Sequence, residues 1–248
     1  MARDGSRDEV GQWSYWRAAE AEFAFWPGGM APDLKPHFHD ETQLTLVLAG
    51  ERRFTLGRTD FAVRAGECIV IPAGMPHRSL PADLSAARCL NVYAPFLADE
   101  PAVFVVPEAL DAASEAGMAL LGGIVAGRAR PRRLDVGEPA WAGGAGLLSR
   151  PMTIGRIAAA RGISREEFSR RFARKAGLPP HAYRIVLRLN EARRRLREAA
   201  PIAGLAADLG FADQSHFGRQ FRRVFGVTPA AYRAGLPPSQ MIQTTVPS

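Results

Sequence analysis

Two sets of residues in this sequence have types and spacings suited to chemistry. The first is His37-Phe38-His39, with Gln43 just beyond it and His77 further along. Side chains alternate along an extended strand, so His37 and His39 project to the same side. Imidazoles placed in this way can ligate a divalent metal or exchange hydrogen bonds with a small molecule. The second set is a doubled run. Phe168, Arg170, Phe172, Arg174, Gly177, Pro180, Tyr183 and Arg184 recur at Phe217, Arg219, Phe221, Arg223, Gly226, Pro229, Tyr232 and Arg233, with a constant offset of 49. One helical unit has been used twice. Arginine and glutamine on an exposed helix face can grip guanine and adenine edges, and further arginines neutralise phosphates.

The elements that must position the doubled set are short helices in pairs. Ile154, Ile157 and Ala158 form one apolar face, which ends at Gly162. Ser164 with Glu167 then has the spacing of a capping box. Phe168 and Phe172, four apart, turn to the core and leave Arg165, Glu166, Ser169, Arg170 and Arg174 outside. In the second unit Leu205, Ala206 and Leu209 form the face, Gly210 ends it and Asp213 is the cap. Phe217 and Phe221 point inward, leaving Gln214, Ser215, Gly218, Arg219 and Arg222 outside. This is helix-turn-helix patterning, with the second helix of each pair presented to a major groove. The stretch between the units, HAYRIVLRLNEARRRLREA, reads as one helix with Ile185, Leu189, Ala192 and Leu196 inward. It would set the two reading helices about 34 Å apart, one turn of duplex. His216, next to core Phe217, reads as a packing or phosphate contact with no acid–base role.

GFADQSHFGRQFRRVFGVTPAAYR resembles the signature of AraC/XylS-type transcriptional regulators, through its glycine, aspartate cap, paired phenylalanines and Thr-Pro. The resemblance covers the final third of the chain. The first repeat departs from it upstream, where the Gly-rich WAGGAG stands in place of the expected first helix and offers at best a poor one around Trp141 to Leu148. By position the resemblance implies base contacts from Glu166, Ser169, Arg170, Gln214, Ser215 and Arg219. Arg174, Arg222 and Arg223 read as phosphate contacts. The implied partner is double-stranded promoter DNA, with RNA polymerase and a second copy of the chain as further candidates.

From Trp13 to Pro107 the sequence reads as β structure, with short apolar runs and glycine turns at the spacing of a sandwich or barrel. Pro36-His37-Phe38-His39, Gln43 and Gly50 resemble the first cupin motif, and Gly66, Pro72, Gly74 and His77 the second. A jelly-roll barrel brings His77 from another strand to His37 and His39. Gln43 stands where enzymatic cupins usually carry a glutamate ligand, and Pro81 where the second motif has asparagine. Three readings are open for His37, His39, Gln43 and His77: a pocket for an organic effector without metal, a divalent metal site completing that pocket, or structural histidines bonded to backbone. No cofactor is required by the first. Arg52 and Arg78 could meet an anionic effector. The expected function is non-enzymatic, a one-component regulator that senses a small molecule. The alternative is a metal-dependent cupin enzyme with a DNA-binding appendage.

Charge supports this division. Residues 1–149 hold 14 basic and 19 acidic side chains, and residues 150–233 hold 18 and 6. A helical domain this basic attracts a polyanion through counterion release. No apolar stretch spans a bilayer, the N-terminus lacks a signal-peptide core, and the two cysteines read as buried thiols, so a cytoplasmic location away from membranes is expected. The fold class expected is multidomain α+β. It comprises a cupin-like barrel over 13–107, a helix and Pro/Gly/Arg-rich linker over 108–150, an all-α tandem helix-turn-helix module over 151–235, and a flexible tail over 236–248.

Overall fold

The computed structural model describes residues 12–18, 20–29, 33–81, 87–106, 114–128, 131–136, 144–149 and 152–235. The tail and the expected start of the helix after Pro107 lie outside these residues.

The N-terminal half is a two-sheet antiparallel sandwich. Its strands are β1 Ser14–Ala18, β2 Ala21–Trp26, β3 Thr42–Ala49, β4 Glu51–Leu56, β5 Thr59–Arg64, β6 Glu67–Ile71, β7 His77–Leu80, β8 Arg88–Ala94, β9 Ala102–Val105 and β10 Arg132–Arg133. The large sheet runs β1-β2-β8-β3-β6-β9-β10, and the small sheet runs β5-β4-β7. Strand β10, inside the stretch read as linker, pairs with β9. Leu134 beside it is buried between the sheets with Phe54, Leu56, Ile69 and Val103.

The outer face of the large sheet is covered by α1 Glu115–Gly123, which runs on into a π-turn over Ile124–Arg128. Leu121 and Ile124 pack there on Phe23, Leu44, Leu46 and Val92. Burial on both faces explains why β3 reads as a near-continuous apolar run. In β4, by contrast, burial alternates strictly and turns Arg52, Phe54 and Leu56 inward.

Cys68 and Cys89 are free and buried in this sandwich. Burial pushes both thiols up from their ordinary range. Neither is expected to react with a thiol reagent in the folded protein, and both are expected to react in denaturant. A rapidly titrating thiol under native conditions would contradict their placement.

The C-terminal half holds α2 Gly144–Leu148, α3 Ile154–Ala159, α4 Arg165–Ala176, α5 Pro180–Arg197, α6 Ile202–Asp208, α7 Gln214–Phe225 and α8 Pro229–Ala234. Ser164 and Asp213 cap α4 and α7 by accepting from the backbone N–H of Glu167 and His216. The capping box is only half formed, because the Glu167 carboxylate is taken by Arg170 and Arg171. Gly177 and Gly226 end these two helices at φ of 67° and 79°, the left-handed region that favours glycine.

Each helical core borrows aromatic surface from the sandwich. Phe38 packs among Phe168, Phe172 and Tyr183. Trp13, Tyr15, Trp26 and Tyr93 pack among Phe217, Phe221, Phe225 and Tyr232. No helix among the described residues is long and apolar enough to cross a membrane.

Candidate functional site

The two reading helices present their N-terminal turns outward. Glu166 and Arg170 on α4 are exposed, as are Gln214, Ser215 and Arg219 on α7. Ser169 is half-buried, and its hydroxyl donates back to the Arg165 carbonyl at 2.8 Å. Arg170 is ion-paired with Glu167 at 2.7 Å. Arg222 and Arg223 are exposed near the end of α7, and Arg174 lies beside a cleft between α4 and the sandwich that Arg58 and Arg78 also line. His216 packs edge-on to Phe211. Helix α5 joins the units, and its 18 residues make a rod about 27 Å long.

The histidine cluster forms where the two cupin-type motifs meet. Backbone N–H and C=O groups of His37 and His77 exchange hydrogen bonds at 2.8 and 2.9 Å, and Gly74 N–H donates to the His39 carbonyl at 2.7 Å. This pairing turns His37, His39 and His77 into one buried pocket, with ligand atoms within 4.8 Å of one another. Gln43 lines the same pocket and begins a chain of bonds. Its Nε2 donates to Thr45 Oγ1 at 2.9 Å, Thr45 donates to Asn91 Oδ1 at 2.8 Å, and Asn91 Nδ2 donates to Tyr93 Oη at 3.1 Å. Burial drives all three imidazoles toward the neutral form: His37 and His39 fall well below their usual range and His77 falls to about 4.

The donor set can be tested for a metal through its hydrogen bonds. Nδ1 of His37 lies 2.7 Å from the Lys35 carbonyl, and Nδ1 of His77 lies 3.0 Å from the Met75 carbonyl. A carbonyl only accepts, so both Nδ1 atoms carry the proton and both Nε2 atoms offer lone pairs, as a metal ligand requires. His39 is the opposite case. Its Nδ1 receives a hydrogen bond from Arg193 Nη1 at 2.8 Å. A guanidinium only donates, so neutral His39 holds its proton on Nε2 and cannot ligate through that atom. Three imidazoles lie close enough to share an ion, yet only two are in the ligating tautomer while Arg193 is docked. The backbone bonds of His37 and His77 are those the structural reading expects.

Arg193 was not visible as a site residue in the sequence. It is 1% exposed, reaches from α5 into the mouth of the sandwich, and pairs there with Glu22, itself 2% exposed. Tyr232 donates to the same carboxylate. Neighbouring α5 residues follow suit: Asn190 Nδ2 donates to the Phe38 carbonyl at 3.0 Å, and Arg197 Nη1 to Glu41 Oε1 at 2.6 Å. From α7, Val224 and Phe225 close the pocket over Trp13, Tyr15 and Tyr93. The sequence hint was positional, since Leu189, Arg193 and Leu196 share one helical stripe. Of the two arginines expected near an effector, Arg52 is buried in the pocket wall, whereas Arg78 does not line the pocket and is paired with Asp33 beside the α4 cleft.

Comparison with known proteins agrees with both halves. A cupin domain matches residues 21–93 and a helix-turn-helix domain matches residues 157–235. The HTH-type transcriptional regulator MtrA of Neisseria gonorrhoeae is 35% identical over 81 residues, covering 32% of this chain and 27% of MtrA. The HTH-type transcriptional activator RhaS of Pectobacterium carotovorum is 40% identical over 65 residues, 26% of this chain and 23% of RhaS. The matched region thus spans about a quarter of the length of these relatives. ToxT from Vibrio cholerae shares the whole architecture: TM-score 0.57 at 10% identity, over 89% of this chain and 100% of ToxT. At that identity the likeness speaks for the fold. With the doubled unit, the caps and the paired motifs, this chain carries an AraC-type helix-turn-helix domain behind an N-terminal cupin domain.

Proposed function

We propose that the protein is a sequence-specific transcription regulator that reads promoter DNA through both helix-turn-helix units and is controlled by a small molecule in the cupin pocket. The observation that carries this reading is the double duty of α5. One side of the helix joins the two helix-turn-helix units, and the other side carries Arg193 to His39 in the pocket wall. A ligand that changes how Arg193 and Phe225 sit would change how the second unit is held against the first. Such control requires the effector to bind one domain arrangement more tightly than the other. Promoter DNA is the principal partner, with RNA polymerase and a second copy of the chain as further ones. No catalytic role is assigned to the histidines.

Selection of bound sequences from random duplex DNA by the full-length protein tests the reading. Two short half-sites about one helical turn apart are expected. Recovery of no motif, with binding that disappears as salt rises, would reduce the basic domain to a non-specific anchor. Two arginines give a sharper contrast on the selected site. Arg219→Ala is expected to relax preference at one base position and cost about 1–3 kcal/mol. Arg223→Ala is expected to weaken binding to every sequence and lower the salt slope by about one unit. Exchange of these two phenotypes would reverse their assigned roles.

A further inference from the structure

We propose that the effector is a small organic acid whose carboxylate is held by Arg52 inside the cupin pocket. This names a ligand class for the sensor site proposed above and rests on that reading. Arg52 is 2% exposed, so its permanent charge sits almost wholly out of water. A buried charge is ordinarily paired, because desolvation is otherwise uncompensated. Arg193 obeys this rule through Glu22. Arg52 does not. Among the described residues no carboxylate lies within ion-pair distance of it, and its one hydrogen bond runs from Nη2 to Ser79 Oγ at 2.5 Å. Nε and Nη1 are buried with no acceptor among the described residues. The rings of Trp13 and Phe54, with centroids 5.9 and 5.7 Å from Cζ, ease the charge without using these N–H groups.

The rest of the pocket fits the same ligand. Among the described residues no aspartate or glutamate lines it. A cation entering would meet a guanidinium and no negative charge, whereas an organic anion supplies the acceptor oxygens that Nε and Nη1 lack. Gln43 Oε1, also buried and unpartnered, offers an acceptor for a hydroxyl or amide on the same molecule. Trp13, Phe54 and Tyr93 make walls suited to a flat apolar body. The cavity itself is only about 10 Å³, room for a single water. An acid therefore enters only as Val224 and Phe225, at the end of α7, draw back. Effector and second reading unit compete for one space, and occupation by one opposes the other reciprocally.

Calorimetric titration of the full-length protein, without DNA, tests this with acetate, hexanoate and benzoate, each against its neutral amide, and with inorganic phosphate. At least one acid is expected to bind saturably, with its amide at least about tenfold weaker. Arg52→Gln is expected to lose that affinity by a similar factor, with its far-UV circular dichroism unchanged. If that variant fails to fold, the comparison of acid with amide on the wild-type chain still decides. Acid and amide binding alike, acid binding surviving in Arg52→Gln, phosphate binding in place of every acid, or no acid binding up to about 10 mM would each overturn the proposal. Because DNA is absent, acid binding without any selected DNA motif would sink the regulator reading and leave the carboxylate site at Arg52 standing.

Discussion

Arg193→Ala is expected to lower the free energy of unfolding by about 3–5 kcal/mol, a large share of the stability of an ordinary domain. Arg193 and Glu22 are each almost fully buried, and the guanidinium lies 4.7 Å from the Tyr93 ring centroid and 5.0 Å from that of Phe225. Removing it leaves the Glu22 carboxylate in a low-dielectric interface with, among the described residues, only Tyr232 and a more distant Arg197, 3.6 Å away, as partners. It also leaves His39 without its Nδ1 donor. Urea denaturation of wild type and variant measures the effect directly. The double variant Glu22→Gln/Arg193→Met should lose less than the two single losses combined, since it strands no charge. A change below about 1 kcal/mol for Arg193→Ala would show that the pair is not formed in solution.

Gly226→Ala comes next, at about 2–5 kcal/mol. A Cβ at this left-handed position costs about 1–2 kcal/mol from backbone sterics alone. The added atom would stand 2.3 Å from Trp13 Cδ1 and 2.9 Å from Nε1, so the indole or the helix end must shift, which adds about 1–3 kcal/mol. Its repeat counterpart supplies an internal control. Gly177 has nearly the same φ, and a Cβ there would approach Pro76 at only 3.1 and 3.2 Å. Gly177→Ala is thus expected to cost mainly the backbone share. Equal costs for the two alanines, measured by the same denaturation, would mean that Trp13 does not seat against the second unit.

These two sites mark where sequence patterns stop being informative. The helix-turn-helix units were legible because everything that defines them is local: phenylalanines four apart, a capping side chain, and a glycine where the helix turns left-handed. The cupin pattern was legible for a related reason, since its histidines sit at fixed distances from turn glycines and prolines that tie His37 to His77. Arg193 was not legible, because a side chain in a run of three arginines is assigned to solvent by any local rule. Its burial depends on Glu22, 171 positions away, and on a docking surface that neither half encodes alone. The pairing of β10 with β9 was hidden similarly, inside a Pro- and Arg-rich stretch with no strand pattern. Arg52 stood between these cases. The alternation of ERRFTL already put it on the same face as Phe54 and Leu56, but its missing counter-charge is a property of the whole pocket.

Helix α5 carries a constraint of length rather than of composition. Asn190, Arg193 and Arg197 reach three successive points of the sandwich, at Phe38, Glu22 and Glu41. One residue inserted between Asn190 and Arg193 would turn everything downstream by about 100° and advance it by about 1.5 Å. Arg193 would lose Glu22, Phe225 would leave the pocket mouth, and α7 would be turned relative to α4. Exposed positions along this helix can drift freely, but an insertion or deletion would uncouple both domains in one step. The 49-residue interval between the repeats is therefore the dimension that this architecture is least able to change.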